Sequence, residues 1–297
     1  MKPGVSSMFF GDMPMESFFS LIQGHDDIRL VDIWYDTPFY LLEDDSRKDI
    51  VIENVKQQIK DLGLDVVTHA ASFDVNPIAY SPAMQLLTIE ETKKSLIFAS
   101  KIGAKLVTLH GGFSSFGGRV TRYDLMLFDR FIEELTSFID NQALEITICL
   151  ENDAATSTLM RPLESLHIFQ DMLEKHATVS VTLDIAHVIK SSTEVETFIV
   201  RDQRIDQNTI SSFLNAYGDR VKIMHASCPN KFRTHGRIDF SGAGMFMDIK
   251  RKIDTAIDSR DLDCIFEYTV EEFPTPGDAM NAVMVDMATL SGKGDEN

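Results

Sequence analysis

Residues 181–188 read VTLDIAHV. Val181, Thr182 and Leu183 have the makings of a core strand, yet the run ends on a carboxylate, Asp184, with an imidazole, His187, three residues later. A strand that simply reaches the surface ends this way, and so does one that forms a wall of a site. One occurrence does not separate the two readings, so the ends of the other strands must decide.

Counting VSVTLDIAH from Val179, eight short apolar runs recur along the chain. The others are GVSSMFF from Gly4, IRLVDIW from Ile28, LDVVTHA from Leu64, AKLVTLHGG from Ala104, EITICLEN from Glu145, RVKIMHAS from Arg220 and LDCIFEY from Leu262. Continuous rather than alternating apolar character belongs to strands buried on both faces, as in a parallel sheet. The stretches between them carry a 3.6-residue period. SPAMQLLTIEETKKSLIFASKIGA enters at Ser81-Pro82, sets Leu87, Glu91, Leu96, Ala99 and Ile102 in amphipathic register, and stops at Gly103. TRYDLMLFDRFIEELTSFIDNQ, PLESLHIFQDMLEKH and DQNTISSFLNAYGDR repeat the theme, the last stopping at Gly218. Eight strand–helix units predict a single-domain α/β fold, a (β/α)8 barrel of the TIM type, over residues 1–291. The polar ending SGKGDEN predicts a disordered tail over 292–297. A doubly wound open sheet would want a glycine fingerprint after its first strand, and FFGDMP is not one.

Composition narrows the partners. At 44% hydrophobic and 25% charged residues, the chain has the material of an ordinary globular core. Its 28 basic residues stand against 46 acidic ones, and the resulting net charge of −18 sets the overall field against nucleic acid. No stretch approaches the roughly 18 uninterrupted apolar residues of a membrane span. MKPGVSSMFFGDMPME lacks the apolar region of a secretion signal, and Cys149, Cys228 and Cys264 show no paired spacing, so a reducing cytoplasm is expected. Self-association into a homo-oligomer is compatible with the sequence.

The C-terminal strand ends of such a barrel face its active site. Here they carry His69, His110, Glu151, Asp184 with His187, His225 and Glu267, which includes four of the chain's eight histidines. Any one of these reads blandly as a hydrogen-bonded polar residue at a strand end. Six consecutive strands ending in metal-binding side chains do not, and Asp184 is therefore read as one wall of a shared site. Carboxylates with imidazoles suit Zn²⁺, Mn²⁺, Co²⁺ or Mg²⁺ rather than a soft thiolate centre. Two carboxylates on different strands also suit proton transfer across a bound substrate, with a metal stabilising an enediolate between them. No organic cofactor is indicated: GGFSSFGGR, residues 111–119, lacks the Gly-Lys-Ser/Thr ending of a phosphate loop. It reads instead as a lid bringing Arg119 and Arg122 to an anionic group.

THAASFDVNP, GAKLVTLHGG, CLEN, TLDIAHV, IMHAS and IFEY together resemble the xylose isomerase-like barrel superfamily, over nearly the whole chain. That superfamily holds sugar isomerases and epimerases together with abasic-site nucleases of the endonuclease IV type. In its epimerase branch one divalent metal is held by a Glu, an Asp, a His and a second Glu. The resemblance implies those roles for Glu151, Asp184, His225 and Glu267, with the two glutamates as the acid/base pair and His187 near a substrate oxygen. In the nuclease branch three zinc ions take nine ligands, seven of which are matched by His69, His110, Glu151, Asp184, His187, His225 and Glu267. The remaining Asp-x-His after strand seven is absent: Cys228 and Asn230 fall at those positions when THGRIDF is set on the Gly-Glu-Gly-x-Ile-Asp-Phe pattern. His235 then replaces that pattern's glutamate, and His235 or Asp239 is left to reach back in its place.

The expectation is a metal-dependent isomerase or epimerase of a sugar, sugar phosphate or related polyol. The alternatives are a zinc phosphodiesterase of the endonuclease IV type and a barrel that binds sugar or metal without turnover. His69 and His110 stand between a ligand and a substrate role. Trp34 with Phe39 stands between a sugar-facing wall and loop packing. Arg119, Arg233, Lys231 and His235 are candidate substrate contacts or surface charges. Cys228 reads as lining its loop, and His25, His167 and His176 as solvated. Met280, Met284 and Met287 recur at helical spacing as a core or subunit-contact stripe.

Overall fold

The computed structural model describes residues 1–10, 13–115, 120–153, 159, 166–190, 208–229, 235–238, 243–257, 262–268 and 273–290. The strands are β1 (Lys2–Ser6), β2 (Leu30–Trp34), β3 (Asp65–His69), β4 (Leu106–His110), β5 (Thr147–Glu151), β6 (Ser180–Asp184), β7 (Val221–Ala226) and β8 (Asp263–Phe266). They close into one barrel in sequence order, every neighbouring pair parallel, with β8 returning to β1. The helices around them are α1 (Met15–Ile22), α2 (Pro38–Leu41), α3 (Asp45–Asp61), α4 (Pro82–Ile102), α5 (Arg122–Asn141) and α6 (Leu166–Lys175). A turn of helix over residues 185–190, here α7, is followed by α8 (Asn208–Tyr217), α9 (Ala243–Ala256) and α10 (Pro276–Leu290). The expected fold is therefore the observed one. The tail, residues 292–297, lies outside the described residues.

Each expected strand is present, but the first stops early. GVSSMFF continues past Ser6 into a 3-10 turn, Ser7–Phe10. Ser7 is drawn off the strand because its Oγ accepts from the Trp34 backbone N–H at 2.9 Å, and Phe10 then packs on the Phe18 ring at 5.4 Å. Gly4 permits β1 to lie against β2, since a Cβ there would sit 2.6 Å from the Leu30 carbonyl oxygen.

Helix α4 begins after Ser81 and ends at Gly103, whose left-handed φ of +91° supplies the stop. Its buried face differs from the pattern. Leu87 is exposed, whereas Thr88 and Thr92 are buried alongside Leu96, Ala99 and Ile102. The polar face is buried because Thr88 Oγ1 accepts the Asn76 backbone N–H at 3.0 Å, so the loop after β3 claims it. Helix α5 opens with a full capping box between Thr121 and Asp124. Met280 and Met287 of α10 are buried in the core and Met284 packs against it, which places that stripe inward.

The barrel interior follows the period of two along each strand. Leu30, Val67, Cys149, Ile223 and Ile265 form one buried apolar cluster, with Leu106 against it. Two residues further along those strands stand Asp32, His69, Glu151, His225, Glu267 and Thr108. Among them Ser6 Oγ donates to Asp32 Oδ2 at 3.1 Å, and the Thr108 and Thr182 hydroxyls share a hydrogen bond of 2.9 Å. An apolar plug thus gives way, one layer up, to polar side chains.

Candidate functional site

The question raised by VTLDIAHV is answered at the end of β6. Asp184 is its last residue, and α7 begins at the next. Asp184 Oδ1 accepts the His187 backbone N–H at 2.5 Å, capping that helix turn, so the spacing of three is a capping spacing. Asn152, just past β5, clamps the same backbone: its side chain accepts from Asp184 N at 2.8 Å and donates to Asp184 O at 2.9 Å. With Oδ1 occupied in this way, the wholly buried Oδ2 accepts no hydrogen bond among the described residues. Burying such an atom is costly unless something else engages it.

Strand register assembles the rest. Trp34 lies beside His69, His110 beside Glu151, and Asp184 beside His225. Glu151 is the centre of the cluster. Its Oε2 lies 2.8 Å from His110 Nε2 and 3.3 Å from His69 Nε2, and its Oε1 lies 2.8 Å from His225 Nδ1. His225 Nδ1 is also 3.1 Å from Glu267 Oε2 and so sits between the two glutamates. Three groups emerge, each with ligand atoms within 4.8 Å of one another: His69, His110 and Glu151; Glu151, Asp184, His225 and Glu267; and Asp184, His187 and His235. Glu151 and Asp184 are each shared between two groups.

The imidazoles are oriented from behind. His187 Nδ1 lies 2.7 Å from the Asn152 carbonyl oxygen, and His69 Nδ1 lies 3.0 Å from that of Ala70. Such backing contacts fix the orientation of the ring. Burial would raise the Glu151 carboxyl, but His225 and His110 outweigh it and hold that carboxyl well below the usual range. Glu267 is drawn down to about 2, against burial, by His225 and His235. Burial opposes charge on His225 and His110, yet Glu151 with Glu267 holds His225 well above its ordinary value, and Glu151 lifts His110 to about 9. Asp184 is raised by burial, which His187 and His235 only partly offset.

His235 is brought into the site. Its Nδ1 lies 3.7 Å from Asp184 Oδ2, and 3.1 Å from Ser227 Oγ. Cys228 pairs with Gly236 through two backbone hydrogen bonds and lines its loop as expected. Trp34 is buried and stacks on His69 at 3.7 Å, and Phe73 also stacks against it at 5.6 Å. The Trp34 ring thus buttresses an imidazole, while the half-exposed Phe73 carries the aromatic surface outward. Arg122 is exposed at the start of α5. Arg119, Lys231, Arg233, Asn230 and Asp239 lie outside the described residues, as does the second part of the expected lid, residues 116–119. His176 is not solvated as expected: it is buried, its ring 3.4 Å from Asp129. Two supporting groups escaped the sequence reading, Asn152 and Asp32. Asn152 was visible as the residue after the glutamate in CLEN. Asp32 was hidden inside an apolar run.

A closed parallel barrel with imidazoles and carboxylates gathered from six consecutive strand ends defines a (β/α)8 protein whose strand-end cluster is able to hold a metal ion. The xylose isomerase-like TIM barrel family matches residues 13–281, and the chain belongs to that family. An uncharacterized protein of Methanocaldococcus jannaschii is 28% identical over 153 residues, 51% of this chain and 54% of that one. A probable endonuclease 4 of Mycoplasma pneumoniae is 25% identical over 186 residues, 61% of this chain and 59% of that one. The matches span little more than half of either relative. In fold, the chain superposes on a D-tagatose 3-epimerase-like protein with a TM-score of 0.73 at 18% identity, covering 100% of this chain and 99% of the other. Among the described residues no helix is long and apolar enough to cross a membrane.

Proposed function

We propose that the protein binds a divalent metal ion through Glu151, Asp184, His225 and Glu267 and isomerises or epimerises a sugar, sugar phosphate or related polyol. The observation that carries this reading is the four-residue group itself. Three carboxylates and one imidazole, all buried, converge within 4.8 Å, and one carboxylate oxygen, Asp184 Oδ2, has no hydrogen bond to satisfy it among the described residues. Hard oxygen donors with a single imidazole fit Mn²⁺, Co²⁺, Mg²⁺ or Zn²⁺. Such an ion supplies Lewis-acid stabilisation of negative charge developing on a substrate oxygen.

The chain's own residues supply the proton chemistry. One glutamate, Glu151 or Glu267, takes the proton from the carbon beside the carbonyl, and the other returns a proton to that carbon or its neighbour. Both are held as carboxylates by the histidines around them, so either is ready to act as base. The one that returns a proton first takes it up from water or a neighbouring imidazolium, and the base gives its own proton up the same way to close the cycle. His225, between them, fixes their separation. The apolar plug below closes the barrel floor, so substrate enters from the strand ends. The fold neighbour named for D-tagatose 3-epimerase supports a sugar as the substrate class. Glu267→Gln is expected to abolish turnover on a panel of ketoses and their phosphates while the protein stays folded, and unchanged turnover sinks the proposal.

One observation favours a second reading. His235 completes a third ligand group with Asp184 and His187, and His69 with His110 and Glu151 forms another, as a multi-zinc phosphodiesterase would require. The match to a probable endonuclease 4 points the same way. Elemental analysis of protein purified without chelators, beside a nicking assay on an abasic duplex, separates the two. About one metal per chain without nicking supports the isomerase; two or three zinc ions with nicking supports the phosphodiesterase.

A further inference from the structure

Helix α10 contributes no side chain to the three ligand groups, yet it carries a buried carboxylate, Asp286, that reaches towards them. Asp286 accepts three hydrogen bonds. Arg237 Nη2 donates to Oδ1 at 2.9 Å, the Ile238 backbone N–H donates to Oδ2 at 3.0 Å, and the Tyr268 hydroxyl donates to Oδ2 at 2.5 Å. The donors come from two separate segments. Tyr268 directly follows Glu267, and Arg237 and Ile238 follow His235 after a single glycine.

These two segments meet again at the site, where His235 Nδ1 lies 3.7 Å from Glu267 Oε2. The His235 segment is fixed on its other side by the Cys228–Gly236 pairing, at 3.0 and 2.8 Å, and by Ser227. The Tyr268 ring is itself buried, edge-on to Phe266 with centroids 6.2 Å apart. Tyr268 therefore transmits its hydrogen bond to a backbone that has little room to move. Charge-assisted hydrogen bonds in a buried setting are stronger than neutral ones, which makes this carboxylate a stiff joint between the segments.

We infer that Asp286 is a positioning residue for the metal centre: by gripping the residues next to Glu267 and His235 at once, it sets the separation of those two side chains. The inference rests on the reading that the cluster binds a divalent metal. It also explains why a carboxylate occupies an inward position of α10, between Val283 and Met287, where helix periodicity calls for an apolar residue.

The test uses Co²⁺ as the probe, with its visible absorption band and dissociation constant as readouts, and amide hydrogen exchange over residues 235–238 and 266–268. Asp286→Asn and Tyr268→Phe are compared with Val283→Ala, which opens a cavity on the same helix. We expect both test variants to weaken Co²⁺ binding about tenfold or more and to shift the band. We expect Asp286→Asn to speed exchange in the two segments together. Val283→Ala, at a comparable loss of melting temperature, should leave band, affinity and paired exchange unchanged. Equal behaviour of Asp286→Asn and Val283→Ala would overturn the inference, as would faster exchange in one segment alone. Wild-type protein that takes up no Co²⁺ would sink the metal reading. The exchange comparison would then still support the joint or dismiss it.

Discussion

Asp32 lies inside the barrel with no exposure, holds one hydrogen bond from Ser6 and leaves its Oδ1 without a partner among the described residues. Burial raises its pKa to about 6 from 3.8, against the pull of His69 and His225. Below about pH 3 the carboxyl is protonated in folded and unfolded chains alike. As pH rises towards 6 the unfolded chain releases the proton while the folded chain keeps it, so the folded state binds more protons and loses stability. A shift of about two pH units corresponds to about 3 kcal/mol, lost as pH climbs through the folded pKa. Asparagine has the same shape and does not titrate. The stability of Asp32→Asn relative to wild type should therefore grow by about 2 kcal/mol between about pH 4.5 and pH 7.5, the remainder lying below that range. Urea unfolding of both proteins in chelator, at several pH values across the range, measures the gap directly. A gap that stays constant with pH would refute the reasoning and mean that the Asp32 site is not the dry, unpaired environment described.

Two further outcomes are expected. Thr88→Val should cost about 1–3 kcal/mol, because the Asn76 N–H loses its buried acceptor, whereas Leu87→Ser on the exposed side should stay within about 0.5 kcal/mol in the same unfolding assay. Metal uptake should tighten as pH rises and release protons: His225 is held well above its ordinary value, so an incoming ion displaces its proton, and by engaging Glu151 the ion weakens the hold that keeps His110 at about 9. Calorimetric titration in buffers of different ionisation enthalpy would show that release, and its absence would contradict the charge state described for these rings.

The strand ends were legible because a parallel barrel makes continuous apolar runs and puts their C-terminal ends at one face, so His69, His110, Glu151, Asp184 and His225 could be read off directly. What escaped depended on contacts distant in sequence. Thr88 looks like the polar side of α4 until the Asn76 loop is laid over it, and His176 looks solvated until Asp129 is brought beside it. His235 could be proposed but not placed, because its position depends on the pairing of Cys228 with Gly236 and on a carboxylate some fifty residues onward. Asp32 was invisible for a different reason: a carboxylate in a strand reads as an outward position, and here it points into the barrel. Periodicity reports where a residue sits along its own element. It does not report what the rest of the chain presses against it.

The closing of the barrel by β8 against β1 has a consequence for how the molecule is made. A chain synthesised from its N-terminus presents β1 early, with one edge paired to β2 and the other edge bare until Asp263–Phe266 arrives. Glu267 emerges in that same last stretch, immediately behind the strand that removes the bare edge. Completion of the hydrogen-bonded ring and completion of the four-residue ligand set are thus nearly the same event in time. A nascent chain offers incomplete ligand groups to passing ions, but it holds the full set only after it has lost its last sticky edge.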